Sequence, residues 1–206
     1  MLFKLLILFS FLIVLLQLKR LVNILPSLLA CLMRGKESLN LEASVKLSRD
    51  RDALAIAMII PFCLTAFHYG LYMPRFMDGM SSDSTLGLYF GIFITYIVLR
   101  LLMTWLFRPQ KLPKKTFVAA DKASYSFFII YTLFLLATGA VLGMFNVPET
   151  DVRSVMLWIS AFIYTLFLIR KTQIFSSSCS VFAGFLYLCA LEMIPTGILV
   201  VSAIIF

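Results

Sequence analysis

Charged residues are scarce in this chain of 206 residues: they make up 14% of it, against about 25% of a typical soluble domain. There is one histidine, which excludes a site built on two imidazoles, such as bis-histidine haem ligation. The four cysteines include no C-x-x-C pair and lie in or beside apolar segments, so a thiolate metal site and a disulfide framework are both disfavoured.

Signatures of catalysis are also missing. The chain contains no H-E-x-x-H, no G-x-S-x-G and no pair of aspartates within an apolar run. It has no basic patch interleaved with aromatic residues, of the kind that binds nucleic acid. We therefore expect no metal, no cofactor and no nucleic-acid partner. An enzyme is disfavoured but not excluded.

Apolar residues, in contrast, are abundant at 62%, where soluble domains have about 45–50%. One soluble core of this size could not bury so many, so lipid must solvate much of the surface. Helices satisfy their backbone hydrogen bonds internally, as the bilayer requires. The composition therefore predicts an all-α, polytopic transmembrane helix bundle that forms a single domain.

The apolar runs predict about six spans, with a short interfacial helix after the first. The spans are residues 2–19, 53–72, 86–107, 125–145, 153–170 and 181–206, and the extra helix is 21–33. The extra helix is too short to cross the bilayer and carries a polar stripe; a continuation of the first helix and a re-entrant segment are the alternatives. Pro61 and Pro195 should kink their helices, because proline cannot donate a backbone hydrogen bond.

Lysine and arginine are distributed unevenly around these spans. Fourteen of the 18 fall in the linkers after the first, third and fifth spans, including Arg170 and Lys171. By the positive-inside rule these linkers are cytoplasmic. Both termini are then expected outside the cytoplasm, which in a bacterium means the periplasm.

The most charged linker, residues 34–52, should be a solvated loop with one amphipathic turn at most. It contains Asp50 and Asp52, a D-x-D pair of the kind that holds a metal in glycosyltransferases. The pattern is short and alternates with Arg49 and Arg51. It favours local salt bridges at the start of a helix over catalysis.

Glu192 lies near the middle of the sixth span, where an ionised carboxylate costs about 3 kcal/mol on insertion scales. It must be protonated, paired or exposed to a watery cavity. Cys189 and Thr196 share its helix face by their spacing. Pro195 leaves the Leu191 carbonyl without its helical partner. This segment is therefore the candidate polar site of the membrane domain.

Arg100 in the third span is the natural partner of Glu192, since helical rise places the two within reach of each other. Tyr96 precedes Arg100 by one turn and extends the polar stripe. The alternative is that Arg100 extends to the cytoplasmic headgroups.

Two G-x-x-x-G motifs predict close helix packing. Gly87 and Gly91 lie in the third span, and Gly139 and Gly143 in the fourth. The topology puts both motifs towards the outer leaflet, so we expect these two antiparallel helices to pair there.

The stretch from Arg170-Lys171 through Ile174-Phe175 to residues 186–195 resembles the C-terminal signature of an uncharacterised family of polytopic inner-membrane proteins in Bacteroidota. The resemblance covers residues 168–200 and implies a bacterial inner-membrane location. It implies no activity.

The sequence first favours a non-enzymatic inner-membrane subunit or accessory factor, whose partners are the bilayer and other envelope proteins. The second hypothesis is a small transporter or proton-coupled carrier that uses Glu192 and Arg100. The third is a lipid-modifying enzyme with chemistry near Asp50 and Asp52.

Overall fold

The structure is a computed structural model that describes residues 2–73, 82–106, 113–176, 184 and 188–205. These residues are almost entirely helical and include no strand, which confirms the predicted all-α class. In chain order the elements are α1 (Leu2–Met33), α2 (Gly35–Ala43), α3 (Val45–Ala57), α4 (Ile59–His68), α5 (Ser82–Leu106), α6 (Lys114–Met144), α7 (Glu149–Ser176), a π-helical turn (Cys189–Met193) and α8 (Ile194–Ile205).

Within the described ranges, five stretches are long and apolar enough to cross a bilayer. They are Leu5–Met33, Val45–His68, Ser84–Leu106, Thr116–Met144 and Glu149–Ser176. The sixth predicted span is described only in part, as the shorter apolar helix Cys189–Val201; residues 181–183, 185–187 and 206 of that span, and residue 107 of the third, lie outside the described residues. The chain is therefore an integral membrane protein with several spans.

The separate interfacial helix predicted at 21–33 is wrong, because α1 continues without a break through Pro26 to Met33. Leu21, Ile24, Leu28 and Cys31 recur at helical spacing and pack into a core with residues of α3 and α6. This burial offsets the hydrogen bond lost at the proline. At 1.5 Å per residue α1 is about 48 Å long, which exceeds the hydrocarbon thickness of about 30 Å.

The linker predicted as a solvated loop at 34–52 is also wrong, because it is helical in the structure. Helix α2 covers Gly35–Ala43 and α3 starts at Val45, with only Ser44 between them in extended conformation. The two short helices pack against each other and against α1 and α6. Their charged side chains are partly buried. Helix α2 and the start of α3 together cover one end of the bundle, and we call them the cap.

The kink expected from Pro61 lies where the chain passes from α3 to α4. Met58 separates the two helices, with φ −76° and ψ −8°. It follows directly after Ala57, whose carbonyl the Pro61 amide would otherwise have bonded. The missing donor and the clash of the proline ring therefore break the helix one turn earlier, as proline does elsewhere.

Helices α6 and α7 share the largest interface of the described bundle. Phe127 of α6 packs there with Ile163 and Phe167 of α7. Helix α5 is more peripheral: it packs on α4, the π-helical turn and α8, and it meets α6 through the stacked rings of Phe93 and Phe128.

The predicted glycine pairing of the third and fourth spans is not found. A Cβ atom added at Gly87, Gly91 or Gly143 would meet nothing within 4 Å. Gly139 alone of the four is tightly packed: an added Cβ would lie 3.2 Å from the Met156 methyl and from the Tyr69 hydroxyl. Aromatic rings on α4, α5 and α6 hold these helices apart, so the small residues of α5 face outward instead.

This difference predicts unequal effects of the same substitution in α6. Gly139→Leu should destabilise the protein by about 1–3 kcal/mol, because the new side chain overfills the contact with Met156 and Tyr69. Gly143→Leu, one turn later, should leave stability unchanged. Thermal unfolding in detergent can be followed with a thiol-reactive dye, since Cys31 and Cys63 are fully buried. Equal melting temperatures for the two variants would contradict the described packing.

Candidate functional site

Glu192 lies in a π-helical turn, Cys189–Met193, directly before α8. The hydrogen bonds of this turn span one residue more than those of an α-helix: the Ile194 amide donates to the Cys189 carbonyl, five residues earlier. Pro195 follows, so the Leu191 carbonyl lacks its usual donor. The proline therefore imposes the irregular backbone, and π-helical turns of this kind are frequent at functional sites.

The Glu192 side chain is buried, with 3% of its surface exposed, and two cations bind it. Arg100 Nη2 donates a hydrogen bond to Glu192 Oε1 at 2.8 Å. Lys171 Nζ donates to the same oxygen. Arg100 thus pairs with the carboxylate and does not extend towards headgroups. The ion triad, defined as Arg100, Lys171 and Glu192, joins α5, α7 and the C-terminal segment.

Sequence reasoning missed Lys171, which it placed in a cytoplasmic linker beside Arg170. Helix α7 continues past 170 to Ser176, and Lys171 is 2% exposed. The sequence did contain an indication of this: Phe167, Lys171 and Ile174 recur at helical spacing on one apolar face. If the helix continues for one more turn, Lys171 therefore lies on its buried face. Arg170 points elsewhere, and its Nε donates to the Leu32 carbonyl of α1 at 2.8 Å.

Three hydroxyl groups surround the triad. The Tyr164 hydroxyl donates to the Glu192 backbone carbonyl at 3.2 Å. The hydroxyls of Tyr96 and Thr196 are 3.2 Å apart, so the structure brings both of these predicted residues to the site. Cys189 is not brought there: its Sγ contacts Met193 Sδ at 3.6 Å. The π-helical turn changes the angular spacing on which its prediction depended.

A second set of hydroxyls continues along α6 and α7, away from the triad. Ser160 donates to the Met156 carbonyl at 2.7 Å, so Tyr131 must donate to Ser160, at 2.6 Å. Tyr72, beyond the end of α4, lies 3.5 Å from the Tyr131 hydroxyl. Ser160 precedes Tyr164 by one helical turn. Hydroxyls therefore recur from Tyr72 to Glu192 through the interior of the bundle.

The triad carries two positive charges and one negative charge. Asp121 of α6 interacts electrostatically with both cations but makes no described hydrogen bond to them. Arg100 Nε is buried and has no hydrogen-bond partner among the residues that the structure describes. The site therefore has more cationic hydrogen-bond donors than Glu192 occupies.

An apolar groove lies beside the triad, between α5 and α8. Its volume is about 380 Å³ and it opens to the side of the bundle. Its lining includes Gly91, Tyr96, Leu99, Pro195 and Leu199. Since Tyr96 hydrogen-bonds Thr196 beside Glu192, the groove reaches the edge of the ion triad.

The D-x-D aspartates pair with cations, as the salt-bridge interpretation predicts. Arg51, only 2% exposed, binds Asp52 and also Glu42 of α2, at 2.8 Å in both cases. Asp52 binds Lys122 of α6 as well, and Asp50 lies 3.8 Å from Arg20 of α1. These contacts tie the helical cap to α1 and α6. Among the described residues no three metal-ligating side chains cluster.

Comparison with known proteins adds no relative to this picture. No family model, no curated protein and no solved structure matches the chain.

Because two cations share one carboxylate, substitutions at different residues of the ion triad should lower the stability of the protein by different amounts. Glu192→Gln removes the carboxylate that binds both cations and should lower stability by about 3–5 kcal/mol. Lys171→Met leaves the balanced Arg100–Glu192 pair and should cost clearly less. The double variant should be more stable than Glu192→Gln alone, because one uncompensated charge is then removed. Thermal unfolding of the three variants measures this; additive losses would contradict the shared pairing.

Proposed function

We propose that this protein is a small proton-coupled carrier of the bacterial inner membrane, in which Glu192 binds and releases the proton. The observation that carries the proposal is the ion triad: an acid buried inside a bundle of spans, on an irregular turn, shared by two basic residues. Ionisable groups within a membrane are expensive, and they mark proton relays and substrate sites.

The presence of Lys171 in the site favours the carrier over the subunit. The sequence alone indicated one acid and one base, and such a pair could have a purely structural role. An isolated ion pair of one acid and one base has no net charge and leaves no charge without a partner. The triad has a surplus cation and an unused Arg100 donor, so its charge state responds to whether Glu192 is ionised or protonated. Such a site has two distinct electrostatic states, which a coupling device requires.

The recurring hydroxyls support a route for the proton. Tyr72 lies at the end of the bundle opposite the cap formed by α2 and the start of α3. From there Tyr131 bonds to Ser160, and Tyr164, one helical turn beyond Ser160, bonds to the backbone carbonyl of Glu192. The triad lies near the other end, since Lys171 is about 8 Å of helical rise from the end of α7. A proton taken up at the Tyr72 end would thus reach Glu192 close to the opposite face.

Two features support the proposed location and orientation. The cationic segments meet at one end of the bundle, where Arg170 bonds to the end of α1 and Lys122 to Asp52 of α3. The positive-inside rule makes this end cytoplasmic and places both termini in the periplasm. The resemblance to an uncharacterised Bacteroidota family agrees with an inner membrane.

A second candidate function is the subunit or accessory factor that the sequence favoured. The groove beside α5 and the outward-facing Gly91 support it, since small residues let a partner helix approach closely. The partner would be a transmembrane helix of another envelope protein. A lipid-modifying enzyme is not proposed, because Asp50 and Asp52 are engaged by cations that hold the cap in place.

The carrier proposal is tested in proteoliposomes that contain a pH-sensitive dye. Small carboxylates, inorganic phosphate, amino acids and sugars are added outside in turn, and internal acidification is recorded. At least one class should acidify wild-type vesicles at more than about ten times the rate of Glu192→Gln vesicles, because the amide cannot carry the proton. Glu149→Gln is the matched control: it makes the same change at an exposed acid in the first turn of α7 and should behave as wild type. Acidification that is independent of Glu192 for every solute would contradict the proposal.

The subunit candidate predicts a different response. Gly91→Leu should fill the groove and abolish association with a partner helix, whereas Gly143→Leu, at an equally open glycine of another helix, should not. The mass of the complex extracted in mild detergent reports this. A wild-type protein that is isolated only as a lone monomer would count against a subunit role.

A further inference from the structure

Arg100 offers more to an anion than Glu192 accepts. Its Nη2 donates to Glu192 Oε1, while Nε, on the same edge of the guanidinium group, is buried and has no partner among the described residues. Lys171 donates to the same carboxylate oxygen. Two cations and a free donor thus converge on a position that one carboxylate fills incompletely.

We propose that Arg100 and Lys171 form a binding site for the carboxylate of an organic anion, which replaces Glu192 when Glu192 is protonated. The inference rests on the proposed carrier function and names its class of substrate. The proton neutralises Glu192, and the incoming carboxylate restores the lost negative charge. The total charge of the buried site is therefore the same before and after, and the exchange avoids burying an uncompensated cation.

A carboxylate fits this arrangement better than a spherical anion does. The Nε and Nη2 edge of arginine is planar and matches the two oxygens of a carboxylate in a bidentate pair. The position is already one where a carboxylate lies, so its size is suitable. Lysine supplies a third charge-assisted hydrogen bond without imposing further geometry.

The groove gives the anion a lateral path from the bilayer. Tyr96 and Pro195 line it and also adjoin the triad, so a chain lying along Leu99 and Leu199 would place its end beside Arg100. The carboxylate could therefore belong to a small soluble acid or to a fatty acid from the membrane. Their shared chemistry is the carboxylate, and the length of the attached chain distinguishes them.

The pH dependence of binding arises at Glu192. The groups that face it are Arg100 and Tyr96 from α5, and Lys171 and Tyr164 from α7; Asp121 from α6 acts on the two cations at longer range. In the proposed exchange the proton is taken up at Glu192 and not at either cation. One proton is therefore bound for each carboxylate, and affinity should fall about tenfold per pH unit where Glu192 is ionised.

The experiment measures stabilisation of the full-length protein in detergent by propionate, with chloride at equal ionic strength as the reference. Glu192→Gln mimics the protonated state, so propionate should raise its melting temperature equally at pH 5.5 and pH 8. Wild type should respond more strongly at pH 5.5 than at pH 8, where its affinity for propionate should be about three-hundredfold lower. Arg100→Lys, which keeps the charge but loses the bidentate edge, should bind propionate at least about tenfold more weakly. Glu149→Gln should resemble wild type throughout.

Octanoate distinguishes the two sources of the carboxylate. Binding more than tenfold tighter than that of propionate, with the gain lost in Gly91→Leu, indicates a fatty acid in the groove; equal binding indicates a small soluble acid. The inference is overturned if neither carboxylate stabilises Glu192→Gln more than chloride does. Should Glu192→Gln fail to fold, a wild-type response to propionate that is the same at pH 5.5 and pH 8 overturns it. Glu192-dependent acidification without carboxylate binding would leave a carrier of another solute and refute this inference alone.

Discussion

The contact on which the architecture depends is the convergence of Arg100 and Lys171 on the Glu192 carboxylate. None of these three charges could remain in the bundle alone, because each would carry a desolvation cost of several kcal/mol. Together they fix the distances between α5, α7 and the C-terminal segment. Helix α5 has few other neighbours, so the triad supplies an attachment that apolar packing alone would leave weak.

The π-helical turn and the triad are coupled features. Pro195, three residues after Glu192, removes the backbone donor to the Leu191 carbonyl, and the backbone widens over Cys189–Met193 to accommodate this. The Tyr164 hydroxyl donates to the neighbouring Glu192 carbonyl, which gives the irregular turn a hydrogen bond from α7. A regular helix would have put Cys189, and not only Thr196, on the face of Glu192. Backbone irregularity and buried charge together define a site that neither would define alone.

The fold class could be predicted from composition alone, because so apolar a chain must be solvated by lipid, and lipid requires backbone hydrogen bonds to be made within helices. The Arg100–Glu192 distance followed from helical rise, which is a property of the backbone. Lys171 was not foreseen: its helical spacing with Phe167 and Ile174 indicates one more turn of α7, but the packing of that helix against α6 and α2 is not visible in the local sequence. The helical structure of residues 35–52 was missed for the same reason: Asp52 and Lys122 lie far apart in the chain and meet only in three dimensions. The glycine motifs misled because size permits close approach but does not require it, and aromatic rings occupied the space.

Arg170 and Lys171 are adjacent, yet one bonds to the end of α1 and the other to a carboxylate inside the bundle. Their divergence depends on the 100° turn that each residue adds along α7. Loss or gain of a single residue between Tyr164 and Arg170 would rotate both side chains together, removing the lysine from the triad and the arginine from its carbonyl. The length of this segment is thus under tighter constraint than its composition: apolar residues there can be exchanged for one another, whereas an insertion or deletion would disconnect two interfaces at once.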